Sequence, residues 1–560
     1  MTALVQERTV ITDQALPGLS TASMLTSDGV RLDADIWTPI GGKGPWPVLL
    51  MRQAYGRRLG SALCYAHPAW YASQGFLVVI QDVRGRGSSE GLFKAFENEA
   101  RDGVEAIAWA ASLPGANGRV GLYGFSYQGT NQLLAAARRP PALGAMAPAM
   151  IGWDMAADWA SEDGATRLAS NIGWGIQMAA GTAQHQRRQE AWDELFTASR
   201  SASVNGCTPG RPPVLERWHS LGHYHDWLER EETDPYWDAV SPSRHAAALR
   251  EIATPALFVA GWFDTHLPGT LAAYDALAGS GASLLVGPWT HFPWDRCVGD
   301  RDFGPDAASP VDRAQVRFFQ RWLSGTTDGA PDPRLRIFDM GACRWRNAED
   351  WPQALTVLHL TGSGLASIDN EDGVLNPTPV ATEAVDYIVH DPWRPAPSVG
   401  GAFGTPPGPV NRAAADRRSD VMTFTTKPLQ TSVALFGSVE AELTLVSDCS
   451  AFDIACTLST IGDDGRVLQI AEGYRSVTSH SNGERVRVSL RRTCASLVAG
   501  TRLRLSVAAA SFPAYPVNPG TGQRPIDAQA ADAGLITIGV VTGGRHGSCL
   551  RLAESAEQES

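Results

Sequence analysis

Along the first third of the chain, short apolar runs alternate with stretches whose apolar residues recur at helical spacing. The runs at residues 48–51, 76–80 and 120–123 are strand-sized. Between the last two, residues 99–112 predict a helix closed by Pro114 and Gly115. The stretch TNQLLAAARR (130–139) predicts a second helix, stopped by Pro140 and Pro141. Two more buried strands are expected at 256–260 and 283–286, and a further helix at 316–325. Strands that alternate with helices predict a largely parallel α/β sheet.

The pattern breaks between roughly 145 and 250, where strand-like runs vanish and helix-like stretches carry Trp153, Trp159, Trp174, Trp192, Trp218, Trp227 and Trp237. A helical insertion between two halves of one sheet accounts for this. It reads equally as an aromatic cap over a cleft and as plain packing of a small helical subdomain. From about 346 helical patterns nearly stop, and residues 433–446, 454–458, 467–471, 485–490 and 502–507 show alternation or β-branched runs. Arg502-Leu503-Arg504-Leu505 has a clean two-residue period, so an all-β sandwich is expected there. Residues 394–409, dense in Pro and Gly, predict an ordered connector.

Composition narrows the function classes. The 560 residues carry 47 Lys+Arg against 59 Asp+Glu, a formal charge of −12, which argues against a nucleic-acid partner. No apolar run approaches the length of a membrane span, and MTALVQERTVITDQ lacks the basic-then-apolar pattern of a secretory signal. The eight cysteines (64, 207, 297, 343, 449, 456, 494, 549) form no CxxC and no Cys/His zinc spacing. They read as reduced thiols of a soluble, cytoplasmic, metal-free protein. Whether Cys449 and Cys456 meet across a hairpin is left open, as is a homo-oligomer.

The sharpest chemical signal is Gly124-Phe125-Ser126-Tyr127-Gln128-Gly129, between a predicted strand and a predicted helix. A serine hydroxyl becomes a useful nucleophile only when exposed, positioned and beside a base. A tight strand-to-helix turn exposes it, and the helix N-terminus offers N–H groups to a developing oxyanion. Asp264 follows the predicted strand 256–260, and His291 follows 283–286. The order Ser126, Asp264, His291 puts a nucleophile, an acid and a base at successive strand ends, where open α/β sheets carry their sites. His266 lies near the acid but does not end a separate strand, so His291 is the better base. The run DVRGRG (82–87) is basic and glycine-rich but lacks the spacing of a phosphate loop, and predicts a structural turn.

With these motifs the chain resembles the cocaine-esterase-like (CocE/NonD) hydrolases, relatives of X-prolyl dipeptidyl-peptidases, glutaryl acylases and α-amino-acid ester hydrolases. The resemblance rests on GFSYQG at 124–129, VLLMRQAY at 48–55, QDVRGRGSSEG at 81–91, AGWFD at 260–264 and GPWTH at 287–291. It also covers 318–323 and 500–520, and spans about residues 20 to 545. It implies an α/β-hydrolase core over 1–145 and 246–345, a helical cap over 146–245 and a C-terminal jelly-roll-like β-sandwich over 346–560. It also implies that the Tyr55 hydroxyl and the backbone N–H of Tyr127 form the oxyanion hole.

The expected activity is hydrolysis of a small-molecule carboxylic ester or amide through an acyl-enzyme, without cofactor or metal. An acyltransferase using the same acyl-enzyme, and a non-catalytic binding protein, are the competing readings. Amino-ester specificity would need carboxylates near the site; Asp154, Asp158, Glu162 and Asp163 are available, but solvated helix-face charges account for them equally well.

Overall fold

The computed structural model describes residues 18–554 apart from 42, 61, 202–209 and 327–332. Cys207 and the N-terminal segment screened for a signal lie outside the described residues. Ten strands form the first sheet: β1 (Gly18–Leu25), β2 (Arg31–Thr38), β3 (Trp46–Gln53), β4 (Leu77–Asp82), β5 (Ala116–Phe125), β6 (Leu143–Ala149), β7 (Ala256–Phe263), β8 (Ala282–Thr290), β9 (Leu335–Asp339) and β10 (Arg344–Ala348). Their spatial order is β1-β2-β4-β3-β5-β6-β7-β8-β9-β10. Pairing is parallel from β4 through β9 and antiparallel at both margins.

A strand buried on both faces reads as a continuous apolar run, and β4 and β7 have every residue buried. The two-residue period sends neighbours to opposite sides. Val48 and Leu50 join one core with Ile107, Leu133 and Leu271, from α1 (Glu99–Ala111), α2 (Tyr127–Ala136) and, beyond the helical segment described below, α5 (Leu267–Leu277). Leu49 and Met51 face the other way, against Phe319 and Leu323 of α6 (Val311–Ser324). Each such side chain contributes about 1.5–3 kcal/mol by leaving water.

The segment between β6 and β7 is helical. It opens with a single π-turn, Ala156–Ala160, and continues through α3 (Leu168–His185) and α4 (Gln189–Ser201) into shorter helices. Its only strands among the described residues are the two-residue pair Ser161–Glu162 and Ala165–Thr166. After β10 the chain is almost entirely β. Its long strands include Val433–Ser447, Phe452–Ile461, Val467–Val477, Arg485–Leu497 and Arg502–Ala508. Residues 391–412 carry no helix or strand beyond isolated bridges.

One strand of this all-β domain, Arg485–Leu497, is fastened to the core through its C-terminal half. Ser496 donates through N and Oγ to Asp339 at 2.8 and 2.6 Å, Met340 N donates to Cys494 O at 2.9 Å, and Arg492 pairs with Asp275 at 2.5 Å. Opposite Val433–Ser447 its register slips: Leu490 faces Val439 and Thr493 faces Gly437, so Arg491 and Arg492 together oppose Ser438. That bulge directs both guanidinium groups at the core domain.

Candidate active site

Ser126 sits at the tip of the turn from β5 into α2, with φ 59° and ψ −124°. A positive φ is costly for a residue with a Cβ and persists where the surroundings enforce it. Here Ser126 N donates to Ala149 O of β6 at 2.8 Å, and the helix begins at the next residue. The flanking glycines serve close approaches. A Cβ on Gly124 would lie 2.5 Å from Gln128 Cβ, and one on Gly129 would lie 2.5 Å from Ile151 and 2.8 Å from Ala149 O. The second glycine stands one place later than in G-x-S-x-G because the helix's first turn meets the end of β6 at that position. The turn is anchored from below. The Tyr127 hydroxyl donates to Glu99 at 2.9 Å and accepts from Phe96 N at 3.2 Å, while Glu99 is paired with buried Arg52.

The three residues expected from the sequence meet. His291 Nε2 is 3.1 Å from Ser126 Oγ, and His291 Nδ1 is 2.7 Å from Asp264 Oδ1. Asp264 is fully buried and Ser126 is 6% exposed. A register shift between Gly287 and Thr290 at the end of β8 breaks the strand's alternation just before the histidine. Trp289 folds inward there, donating Nε1 to Ala307 O at 2.8 Å. With the proton on Nδ1, the imidazole donates to Asp264 and accepts from Ser126. His266 is placed otherwise. It is buried, tilted at 40° against Trp159 with ring centroids 4.0 Å apart and edge-on to His291 at 5.2 Å, and burial holds its pKa well below the ordinary histidine value.

Tyr55 lies at the mouth of the strand β3 turn, with its phenol within hydrogen-bonding reach of Ser126. Burial pushes its pKa up, outweighing its hydrogen bonds with Trp174 and Ser126, so the hydroxyl keeps its proton at neutral pH. Trp174 Nε1 donates to Tyr55 OH at 3.2 Å across 119 residues of sequence, a partner no local pattern announces. Ser126 and His291 open into a cavity of about 630 Å³ walled by Phe125, Trp159, Trp174 and Phe292. The insertion's tryptophans therefore divide: Trp159 and Trp174 line this cavity, Trp227 and Trp237 back them, and Trp153 joins the core of the sheet. Both readings of the insertion hold for part of it.

The acidic residues of the insertion have other duties. Asp158 accepts from the N–H groups of Trp153 at 3.1 Å and Asp154 at 2.8 Å. Glu162 is bound by Arg167 at 2.8 Å and by Arg491 of the β domain at 2.9 Å, and accepts from Tyr515 at 3.1 Å. The solvated-face reading fails for these two, because each is enclosed by the partners it binds. Arg491 also donates Nη1 to the backbone carbonyl of Asp264 at 2.6 Å, so all three parts of the chain meet beneath the acid loop. Among the described residues no three His, Cys, Asp or Glu side chains converge as a metal-ligand set.

Burial pushes the Asp158 carboxyl from 3.8 up to about 7. An acid raised in the fold is held protonated there, so its stabilising effect is complete below about 3.8 and is lost as pH rises through about 7. Asp158→Asn is therefore expected to gain thermal stability relative to the parent between pH 5 and pH 8. A midpoint difference that stays constant over that range rules the effect out.

Comparison with known proteins agrees with this geometry. The description of the X-Pro dipeptidyl-peptidase (S15 family) matches residues 28–293, and that of its C-terminal non-catalytic domain matches 328–550. Cocaine esterase of Rhodococcus sp. is 31% identical over 528 residues, covering 88% of this chain and 91% of that one. An aminopeptidase from a marine sediment Thaumarchaeota archaeon superposes with a TM-score of 0.80 at 20% identity, covering 98% and 99% of the two chains. An α-amino acid ester hydrolase gives 0.77 at 21% identity over 99% and 100%. The α/β-hydrolase core followed by an all-β domain is thus a shared architecture. Cocaine esterase, a relative named for ester hydrolysis, does not favour the acyltransferase reading. Resemblance over nearly the full length of both chains, with both family descriptions matched in order, makes this chain a member of the cocaine-esterase-like S15 family and a serine hydrolase of esters or amides.

Proposed function

We propose that Ser126, His291 and Asp264 are the catalytic triad, with Tyr55 and the Tyr127 N–H as oxyanion donors, in an enzyme that hydrolyses small carboxylic esters. The observation that carries this is the unbroken line from Asp264 through His291 to Ser126 at 2.7 and 3.1 Å, ending on a strained turn inside an aromatic cavity. Ser126 Oγ attacks the carbonyl carbon as His291 Nε2 takes its proton, and the carbonyl π pair moves onto oxygen. The oxyanion collapses, the C–O bond to the alcohol breaks, and His291 returns the proton to the leaving oxygen. Water, deprotonated by His291, then attacks the acyl-serine, the C–Oγ bond breaks, and His291 returns the proton to Ser126 Oγ as the acid leaves.

A cavity of about 630 Å³ suits a drug-sized ligand, and its indole and phenyl walls favour an apolar or aryl group beside the carbonyl. A relative named as an esterase supports esters ahead of amides. The seven described cysteines are all free, which supports a reducing, cytoplasmic setting, and no described helix is long and apolar enough to cross a membrane.

A fluorophosphonate should label the protein once, on Ser126; labelling at another residue, or none in folded protein, defeats the assignment. Tyr55→Phe removes one oxyanion donor and leaves the ring in place. It is expected to lower kcat by about 10²–10³ with little change in KM. An unchanged kcat would take Tyr55 out of the oxyanion hole.

A further inference from the structure

Among the described residues, eight arginines are less than a tenth exposed: Arg52, Arg57, Arg84, Arg86, Arg167, Arg412, Arg491 and Arg504. Seven of them are paired with a carboxylate. Arg86, at 3% exposure, is the exception among the described residues. Its Nη2 donates to Met178 O at 3.0 Å and its guanidinium lies 3.7 Å over the Phe93 ring, but Nε has no partner. The titratable neighbours that act on it are the Tyr127 and Tyr55 phenols and the buried His223 imidazole, not a carboxylate. Burial lowers its pKa to about 10, which leaves it cationic at neutral pH. Burying an unpaired cation is expensive, and a chain with 59 acidic residues does not lack partners for it.

Arg86 lines a groove of about 1170 Å³ that shares Tyr55 and Gln177 with the catalytic cavity. Arg57, Arg58 and Arg187 line it as well. Arg57 is taken up by Asp35 and Asp82, whereas Arg58 and Arg187 are exposed and pair with no carboxylate among the described residues. A molecule with net charge −12 thus keeps three guanidinium groups without a carboxylate partner around one groove that adjoins the catalytic cavity.

We propose that this groove binds a carboxylate of the substrate through Arg86, assisted by Arg58 and Arg187, so that the preferred substrates are esters bearing a free carboxylate away from the scissile bond. The inference rests on the hydrolase reading above and assigns it a substrate class. The planar guanidinium fork matches a carboxylate, and the desolvated cation gains most when an anion enters.

The test uses two matched pairs on the full chain: mono-4-nitrophenyl glutarate against its methyl-capped diester, and 4-acetoxybenzoate against its methyl ester. The first pair puts the carboxylate on the acyl side and the second on the leaving group. In at least one pair the anionic member should have a kcat/KM about tenfold higher or more, about 1.4 kcal/mol. That ratio should collapse towards one in Arg86→Met and fall partway in Arg86→Lys, which keeps the charge and loses the fork. Ratios at or below one in both wild-type pairs, or a ratio unmoved by either substitution, overturn the proposal. Fluorophosphonate labelling of the wild type separates the two readings. Labelled protein with no anionic preference defeats the groove alone, and unlabelled protein defeats the nucleophile.

Discussion

Ser126→Ala should lose ester hydrolysis by roughly the 10⁶-fold recorded when a serine protease loses its nucleophile, and should form no acyl adduct by intact mass. The size of the effect follows from the site's construction. Among the described residues Ser126 Oγ is the hydroxyl that both faces the cavity and meets His291 Nε2, and the turn that presents it is fixed by Ala149, Gln128 and Ile151 rather than by the hydroxyl. Removing that oxygen leaves the positive φ, the helix and the fold as they were. His291→Ala is expected to cost about as much, and the double variant little more than either, because the pair acts as a unit. Rates within tenfold of the parent in purified Ser126→Ala would place the nucleophile elsewhere.

The second large effect is expected at the acid. Asp264→Asn should lower kcat by about 10⁴ while KM stays within a few-fold, as the equivalent change does in a serine protease. Asp264 Oδ1 receives the Nδ1 proton of His291, and its Oδ2 has no hydrogen-bond partner. The carboxylate's work is therefore concentrated on the imidazole. An amide in its place can donate to Nδ1, which moves the ring proton to Nε2 and leaves Ser126 facing a donor. Steady-state kinetics with a circular-dichroism check of folding decide this. A loss below tenfold would mean that another group orients His291.

The elements that could be read from sequence are those whose causes are local. Strands β3, β4, β7 and β8 are apolar runs because both faces are covered, and the nucleophile turn shows itself through two glycines that each avoid a close contact. Asp264 and His291 were legible because they end such runs. Strand β1 was not, since as a marginal strand it pairs on one side and exposes polar residues. Strand β6, LGAMAPA, hid behind small residues, and Gly129 packs against its last carbonyl. Tyr55 carried no signal of its own; family resemblance pointed to it. Trp174 and Arg491 reach the site from 119 and 227 residues away, and nothing in their neighbourhoods encodes that arrival. Asp158 and Glu162 failed as surface charges for the same reason: the N–H groups and arginines that enclose them are assembled only by the fold.

The bulge that sets Arg491 and Arg492 against Ser438 makes the hydrolase sensitive to a kind of genetic change that substitution scanning does not sample. In an unbroken ladder, consecutive side chains point to opposite faces, so losing one codon here would turn one arginine away from the core. The carbonyl of Asp264 or the carboxylate of Asp275 would then lose its partner, although every other residue remained. In-frame deletions are ordinarily best tolerated in domains that hold no reacting group. In this chain a deletion at position 491 would reach the acid loop itself, because Arg491 carries the contact from the β domain to Asp264 and Glu162.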